Sequence, residues 1–147
     1  MSAQDNKAVV ERLLNAWNDS DFQVIEEELV ASDFVNHNPP PVPGIGHDRD
    51  GMLAAMRYMR QAFPDGRAAS VNLVAEDDKV VVQDVVRGTH QGEFMGVSAT
   101  ERQVSFEFIH IFRLAEGRIV ERWGLVDAMG LMMQLGAIPT PQAAEAG

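Results

Sequence analysis

The sequence predicts an α+β fold in which helices near the N-terminus pack on a curved, mainly antiparallel (mixed) sheet, with one short helix near the C-terminal end. Two observations lead to this prediction. Apolar residues recur with helical spacing in the first part of the chain, and strand-like alternation of apolar and polar residues dominates after residue 66. Helices followed by strands are typical of α+β layers. A length of 147 residues fits one domain, residues 1–147.

Two helices are predicted at the start of the chain. Apolar side chains lie three and four positions apart in residues 5–18, and Asp5 is the expected N-cap. A second, short helix is expected to be capped by Ser20 or Asp21 and to extend to about Leu29.

An extended, stiff loop and a third helix follow. Four of the five residues in Pro39–Pro43 are proline, which fixes φ and has no backbone N–H to donate. His37 lies just before this loop. The third helix is expected to begin at His47 or Asp48 and to continue to about Ala62, because apolar residues again recur on one side.

The rest of the chain predicts four strands and a short helix. The strands cover, in order, residues 69–75, 80–89, 104–114 and 118–126. The last two form a hairpin around the turn Ala115-Glu116-Gly117. A short apolar helix, residues 128–135, follows, and the tail, residues 141–147, is expected to be frayed.

The first strand of this hairpin contains an unusual aromatic face. Successive side chains of a strand point to opposite faces, so one face carries Phe106, Phe108, His110 and Phe112, and the other carries Glu107, Ile109, Ile111 and Arg113. A single imidazole among three phenylalanines on a concave sheet predicts an apolar pocket that contains an acid or a base.

Charge and composition limit the classes of partner. The net charge is −10, from 22 acidic and 12 basic residues, and no cluster of Lys and Arg offsets it, which makes nucleic acid and anionic lipid improbable partners. No apolar run approaches the roughly 20 residues that a membrane span needs. The N-terminal residues do not resemble a secretory signal, and cysteine is absent. A cytoplasmic protein that binds a hydrophobic small molecule is expected.

Five motifs along the chain resemble the SnoaL-like family, which comprises polyketide cyclases and ester cyclases of the nuclear transport factor two-like superfamily. They are Phe63-Pro64-Asp65, Gly88-Thr89-His90-x-Gly92-Glu93-Phe94-x-Gly96, His110-Ile-Phe-Arg113, Gly117-Arg-Ile-Val-Glu121-x-Trp123 and Asp127-x-x-Gly130-Leu131-x-x-Gln134-Leu135-Gly136. The resemblance implies an α+β cone whose outer sheet face forms homodimers or homotetramers. It also implies an intramolecular aldol ring closure on a polyketide ester, without metal or other cofactor.

Three positions depart from the family pattern. The family has an acid/base Asp directly after the hairpin Trp, and this chain has Gly124. A pocket Gln is replaced by Phe108, and the family's Ala-Thr-Gly-Arg loop reads Ala99-Thr100-Glu101-Arg102. His110 and His37 match family pocket positions. The resemblance therefore predicts the fold more directly than it predicts the reaction.

Three residues are candidates for catalysis: His110, Asp127 and His37. Imidazole begins near the pKa that a general base needs, and an apolar environment would raise the pKa of a carboxyl group. The alternatives are a buried structural histidine at 110, a helix N-cap at 127 and ordinary loop chemistry at 37. Asp84 is either a pocket carboxylate or a residue on an oligomer face.

Six residues are candidates for binding the substrate: Trp17, Met56, His90, Phe106, Phe108 and Trp123. Aromatic and methionine side chains also fill ordinary cores. The four histidines do not have metal-ligand spacing, and no nucleotide-binding or serine-hydrolase motif is present, so no metal or cofactor is expected. Three hypotheses remain at this point: an enzyme that performs cyclisation, isomerisation or hydration, a binding protein of the same fold without catalysis, and an oligomerisation module whose pocket is incidental.

Overall fold

The structure, a computed structural model, describes residues 1–140, and the tail predicted to be frayed lies outside the described residues. The elements follow in this order: α1 (Ala3–Asn18), α2 (Phe22–Val24) continued by a π-helical turn (Ile25–Leu29), β1 (Val30–Asn36), α3 (Arg49–Ala62), β2 (Arg67–Glu76), β3 (Lys79–Thr89), β4 (Gln103–Ala115), β5 (Arg118–Val126) and α4 (Ala128–Gln134).

The five strands form one mixed sheet in the order β1-β5-β4-β3-β2. The β1 strand runs parallel to β5, and the other neighbours are antiparallel. The face on which the helices pack is called the inner face here, and the opposite face is called the outer face. The predicted α+β fold, with helices on a mixed sheet, is confirmed.

The first helix begins earlier than the sequence predicts. Ser2, not Asp5, is the N-cap: the Ser2 hydroxyl accepts from the Asp5 N–H, and the Asp5 carboxylate accepts from the Ser2 N–H. This reciprocal capping box satisfies two backbone donors at once, so it outcompetes a single cap by Asp5.

Within residues 1–140, no helix is long and apolar enough to cross a membrane.

The β1 strand was not predicted. The segment reads Val-Ala-Ser-Asp-Phe-Val-Asn and has weak alternation, so it resembles the loop that follows it. Its partner is β5, with Val30 opposite Ile119 and Asn36 opposite Arg122. Val30 and Phe34 are buried under the helices. A parallel pairing with a strand so distant along the chain leaves no local signal.

Two apolar clusters fill the space between helices and sheet. One contains Val10 of α1, Ile25 and Phe112, and the other contains Phe63 and Phe106. On β4, His110 lies between the two clusters because Phe112 belongs to one and Phe108 packs against the other.

A bulge in β5 sets which side chains face inward. Leu114 pairs with Ile119, but Arg113 pairs with Glu121, so β5 has one extra residue, Val120, at this point. Every residue of β5 after the bulge therefore faces the side opposite to that expected from an uninterrupted hairpin.

Candidate active site

Three polar side chains from adjacent strands meet on the inner face. Asp84 of β3 is opposite Phe108, Arg122 of β5 is opposite Phe112, and His110 of β4 lies diagonally between the two. Asp84 and Arg122 are buried, with 3% and 8% of their surface exposed. The strands thus bring an acid, an imidazole and a cation into one row, which we call the inner-face triad.

His110 is held in an apolar stack. Its ring lies nearly parallel to those of Phe108 and Phe112, at centroid distances of 5.1 and 5.3 Å. Only 14% of its side-chain surface is exposed. Burial lowers the pKa of His110 below its usual value, and the charge of Arg122 lowers it further, whereas the contact with Asp84 acts in the opposite direction. The ring is therefore neutral at neutral pH.

The neighbours of His110 fix its tautomer. The Nε–H of Arg122 donates to Nδ1 of His110 at 2.9 Å, so the ring proton belongs on Nε2. Nε2 lies 3.1 Å from Oδ1 of Asp84. This contact lacks the angle of a well-formed hydrogen bond, and within residues 1–140 Oδ1 has no hydrogen-bond partner. Oδ1 of Asp84 is therefore a buried acceptor with capacity left.

The guanidinium of Arg122 is anchored by neutral groups. Its Nη1 donates to Oδ1 of Asn36 at 3.0 Å and to the carbonyl oxygen of Asn38 at 3.2 Å. Burial lowers the pKa of Arg122 to about 10, and Asp84 partly opposes this shift. At neutral pH the group remains a cation.

Gly124 leaves room for this cation. A Cβ atom at position 124 would lie 2.7 Å from Cζ of Arg122, closer than atoms can approach without displacement. The guanidinium thus occupies the space of a side chain at position 124, where the family resemblance implies a carboxylate.

His37 and Trp123 lie on the outer face, across the sheet from His110. Their rings stack at a centroid distance of 4.8 Å, and Nε2 of His37 lies 2.7 Å from Oε2 of Glu121. Hydrogen bonds from Arg113 and then from His37 lower the pKa of Glu121. The structure therefore does not bring His37 or Trp123 to the inner-face triad.

Asp127 serves as the N-cap of α4. Its Oδ1 accepts from the N–H of Gly130 at 2.9 Å, and the residue is exposed. With Ile109, Trp123 and Leu125, it lines an outer-face concavity of about 570 Å³. The structure places its carboxylate in this concavity rather than beside His110.

The other predicted substrate-binding residues are divided between core and site. Trp17 and Phe106 are buried, and the guanidinium of Arg60 lies 4.1 Å from the Trp17 ring. Met56 and Phe108 are half-buried and pack at the edge of the second apolar cluster. Met56 and Phe108 are thus the members of this predicted set that reach the edge of the core, and Phe108 directly adjoins the triad.

His90 is completely buried beside Phe63. Its Nδ1 accepts from the backbone N–H of Thr100 at 3.1 Å, which places its proton on Nε2. Within the described part of the chain, this Nε2 has no hydrogen-bond partner. The ring orders the loop between β3 and β4.

Sequence reasoning did not single out Arg122 or Asn36. Arg122 is one of several arginines in the hairpin, and only the bulge turns it inward. Asn36 belongs to the unpredicted strand β1. Between residues 1 and 140, no group of three or more His, Cys, Asp and Glu side chains is arranged to hold a metal ion.

Comparison with known proteins gives one family. The model of the SnoaL-like polyketide cyclase family matches residues 7–135. The aklanonic acid methyl ester cyclase DnrD of Streptomyces peucetius is 26% identical over 140 residues, which cover 91% of this chain and 93% of DnrD. The nogalonic acid methyl ester cyclase of Streptomyces nogalater is 26% identical over 112 residues, covering 75% of this chain and 82% of that protein.

Solved structures of similar proteins share the fold. AclR of Streptomyces galilaeus, a proposed hydroxylase, superposes with a TM-score of 0.85 at 29% identity, covering 99% of this chain and 90% of AclR. IdmH of Streptomyces antibioticus, a proposed polyketide cyclase, has a TM-score of 0.79 at 34% identity, covering 89% of this chain and 98% of IdmH. The same architecture thus accompanies more than one proposed reaction.

Proposed function

This chain belongs to the SnoaL-like polyketide cyclase family, and we propose that it is an enzyme that performs cofactor-independent acid/base chemistry, a cyclisation or isomerisation, on a hydrophobic, polyketide-like carbonyl compound. The observation that carries the proposal is the inner-face triad. Its neutral imidazole lies between a buried carboxylate and a buried guanidinium. Relatives named as cyclases of aklanonic and nogalonic acid methyl esters support a polyketide-like carbonyl compound, whether free acid or ester, as the class of substrate.

The proposed reaction begins with proton removal next to a carbonyl group. Oδ1 of Asp84 accepts the α-proton, since this oxygen has no well-formed hydrogen bond within residues 1–140. The electron pair of the broken C–H bond forms an enolate. The Nε2–H of neutral His110 donates a hydrogen bond to the enolate oxygen.

Ring closure would then regenerate the site. The enolate carbon attacks a second carbonyl group of the same molecule, which forms a C–C bond and leaves an alkoxide. The carboxylic acid of Asp84 returns its proton to that alkoxide. No electron is gained or lost overall, so the sequence of steps needs no oxidant or reductant.

A flat apolar substrate would bind beside the triad. Phe108 stacks on His110, and Met56 is half-buried nearby in the second apolar cluster. Flexible methionine side chains adapt to ligands of different shape. In this proposal the apolar part of the ligand contacts these side chains and its polar end contacts the triad.

The test is turnover of a panel of aromatic polyketide methyl esters and free acids, followed by liquid chromatography and mass spectrometry. We expect His110→Ala to lower turnover about 100-fold or more, because it removes the donor and its stack, while the circular dichroism spectrum stays that of a folded protein. A His110→Ala variant that retains wild-type turnover would contradict the proposal.

A binding protein without catalysis is the second candidate. Both ring nitrogens of His110 already have neighbours at hydrogen-bonding distance, and Gly124 supplies no carboxylate. Native mass spectrometry of the purified protein separates the two candidates. An unchanged ligand that stays bound supports the binding protein, whereas conversion of that ligand supports the enzyme.

We also propose that two copies pair through the outer face. Ile109 and Leu125 are 51% and 76% exposed there, and Glu107 and Arg113 place charges of both signs on the same surface. A twofold axis would bring such a patch against itself with opposite charges in register. Leu125→Arg is expected to halve the mass measured by light scattering. An unchanged mass would exclude this surface as the interface.

A further inference from the structure

Arg122 is a buried cation without a direct anionic partner among the described residues. Its hydrogen bonds go to an imidazole nitrogen, an amide oxygen and a carbonyl oxygen, all of them neutral. None of the ion pairs formed within residues 1–140 includes Arg122. Buried arginines are normally paired with a carboxylate, because removal of the charge from water is costly.

The nearest acid does not neutralise this cation directly. The ring of His110 lies between Asp84 and Arg122 and touches one with each nitrogen. The imidazole is neutral, since burial lowers its pKa. The imidazole ring thus separates the two charges. The guanidinium contacts no carboxylate directly among residues 1–140, so it can still bind an anion.

One end of the guanidinium is also free to donate. Within residues 1–140, Nε and Nη1 of Arg122 have acceptors, and Nη2 has none. Nη2 points into the space above Gly124, which is paired with His110 across the hairpin. The unused N–H groups therefore lie on the inner face next to the ring that the proposed reaction uses.

We propose that Nη2 of Arg122 binds a carboxylate oxygen of the ligand, so that this protein prefers a free aromatic acid to the corresponding methyl ester. This inference rests on the site of the proposed function and specifies its substrate class. Gly124 is a specificity-determining position because the absence of a side chain lets the guanidinium occupy the inner surface. A carboxylate oxygen can accept a charge-assisted hydrogen bond from an N–H of Nη2, whereas an ester carries no negative charge.

The test uses naphthoic acid and its methyl ester as probes that differ in charge and in one methyl group. Isothermal titration calorimetry gives a dissociation constant for each probe with the full-length protein. We expect the wild type to bind the acid at least about 10-fold more tightly than the ester, the ratio expected for one charge-assisted contact. In Arg122→Gln the ratio is expected to fall to about one.

Arg12→Gln is the matched control, since it removes an exposed arginine of α1 that pairs with Glu28. It is expected to keep the wild-type ratio. If Arg122→Gln does not fold, Gly124→Ala serves in its place, because the new Cβ displaces the guanidinium and should abolish the preference. Equal binding of the two probes by the wild type, no binding of the acid, or an unchanged ratio in a folded Arg122 or Gly124 variant would overturn the inference.

The binding measurement and the turnover measurement test the two proposals separately. A protein that prefers the acid but converts no compound in the panel overturns the proposed reaction and keeps this inference. A protein that converts esters and binds both probes equally overturns this inference and keeps the reaction.

Discussion

Two histidines on opposite faces of the sheet show how position changes the chemistry of one residue type. On the inner face, His110 is stacked between two phenylalanines, has 14% of its side-chain surface exposed and touches Asp84 and Arg122. On the outer face, His37 stacks on Trp123, is 39% exposed and contacts Glu121. Both match pocket positions of the family in the sequence. A match of sequence position therefore does not separate the two histidines, and we propose that the apolar, largely water-free surroundings of His110 make it the one suited to acid/base work.

The largest effect on stability is expected from crowding the inner face. Gly124→Ala places a methyl group where the guanidinium of Arg122 lies. Overpacking of this kind costs about 1–3 kcal/mol, which urea unfolding can measure. Met129→Ala, at a residue of α4 that is 64% exposed and lies outside the proposed dimer surface, is the control and should change the free energy of unfolding by less than about 0.5 kcal/mol. Equal effects of the two changes would mean that the guanidinium does not fill this space.

A moderate effect is expected from pH, and it should depend on the inner histidine. Burial lowers the pKa of His110 below 6.5 in the folded protein, so below about pH 6.5 the unfolded chain binds a proton that the folded protein excludes. The contribution of the neutral, buried imidazole of His110 to the free energy of unfolding is present above that pH. It is lost as the pH falls toward the pKa that His110 has in the folded protein. Unfolding free energies measured from about pH 7 to about pH 5.5 should therefore decrease more for wild type than for His110→Gln. Parallel curves would show that His110 is not shielded from water.

The smallest effect is expected from the outer histidine. His37→Ala removes one stacking contact with Trp123 and one half-exposed contact with Glu121. Exposed contacts of this kind contribute little, so the melting temperature should fall by less than about 4 °C. Differential scanning fluorimetry measures this change. If His37→Ala lost as much turnover as His110→Ala, the proposed difference between the two faces would be wrong, and His37 would again be a candidate for catalysis.

Much of the sheet could be predicted from local pattern. Regular alternation along β4 correctly predicts that Phe106, His110 and Phe112 share a face, because nothing interrupts the strand. The start of α3 follows from Asp48, whose Oδ1 accepts from the N–H of Gly51 at 2.8 Å. These features depend on neighbours in sequence, where propensity and capping act.

The arrangement of the site depends on contacts that the sequence does not display. With a two-residue turn and no bulge, His110 would be opposite Trp123, and the tryptophan would share its face. The extra residue Val120 instead puts Gly124 opposite His110. Asn36, a ligand of the guanidinium, comes from a parallel strand whose pairing is long-range. The role of Arg122 therefore becomes visible only with the register.

The bulge at Val120 has a consequence for how relatives of this protein could diverge. Deleting that single residue would exchange the faces of every later position in β5, sending the guanidinium to the exterior and the indole to the interior. Loss or gain of one codon would thus replace a guanidinium on the inner face with an indole, without substituting any amino acid. An insertion or deletion in this hairpin can therefore change which side chains line the inner face without replacing any lining residue.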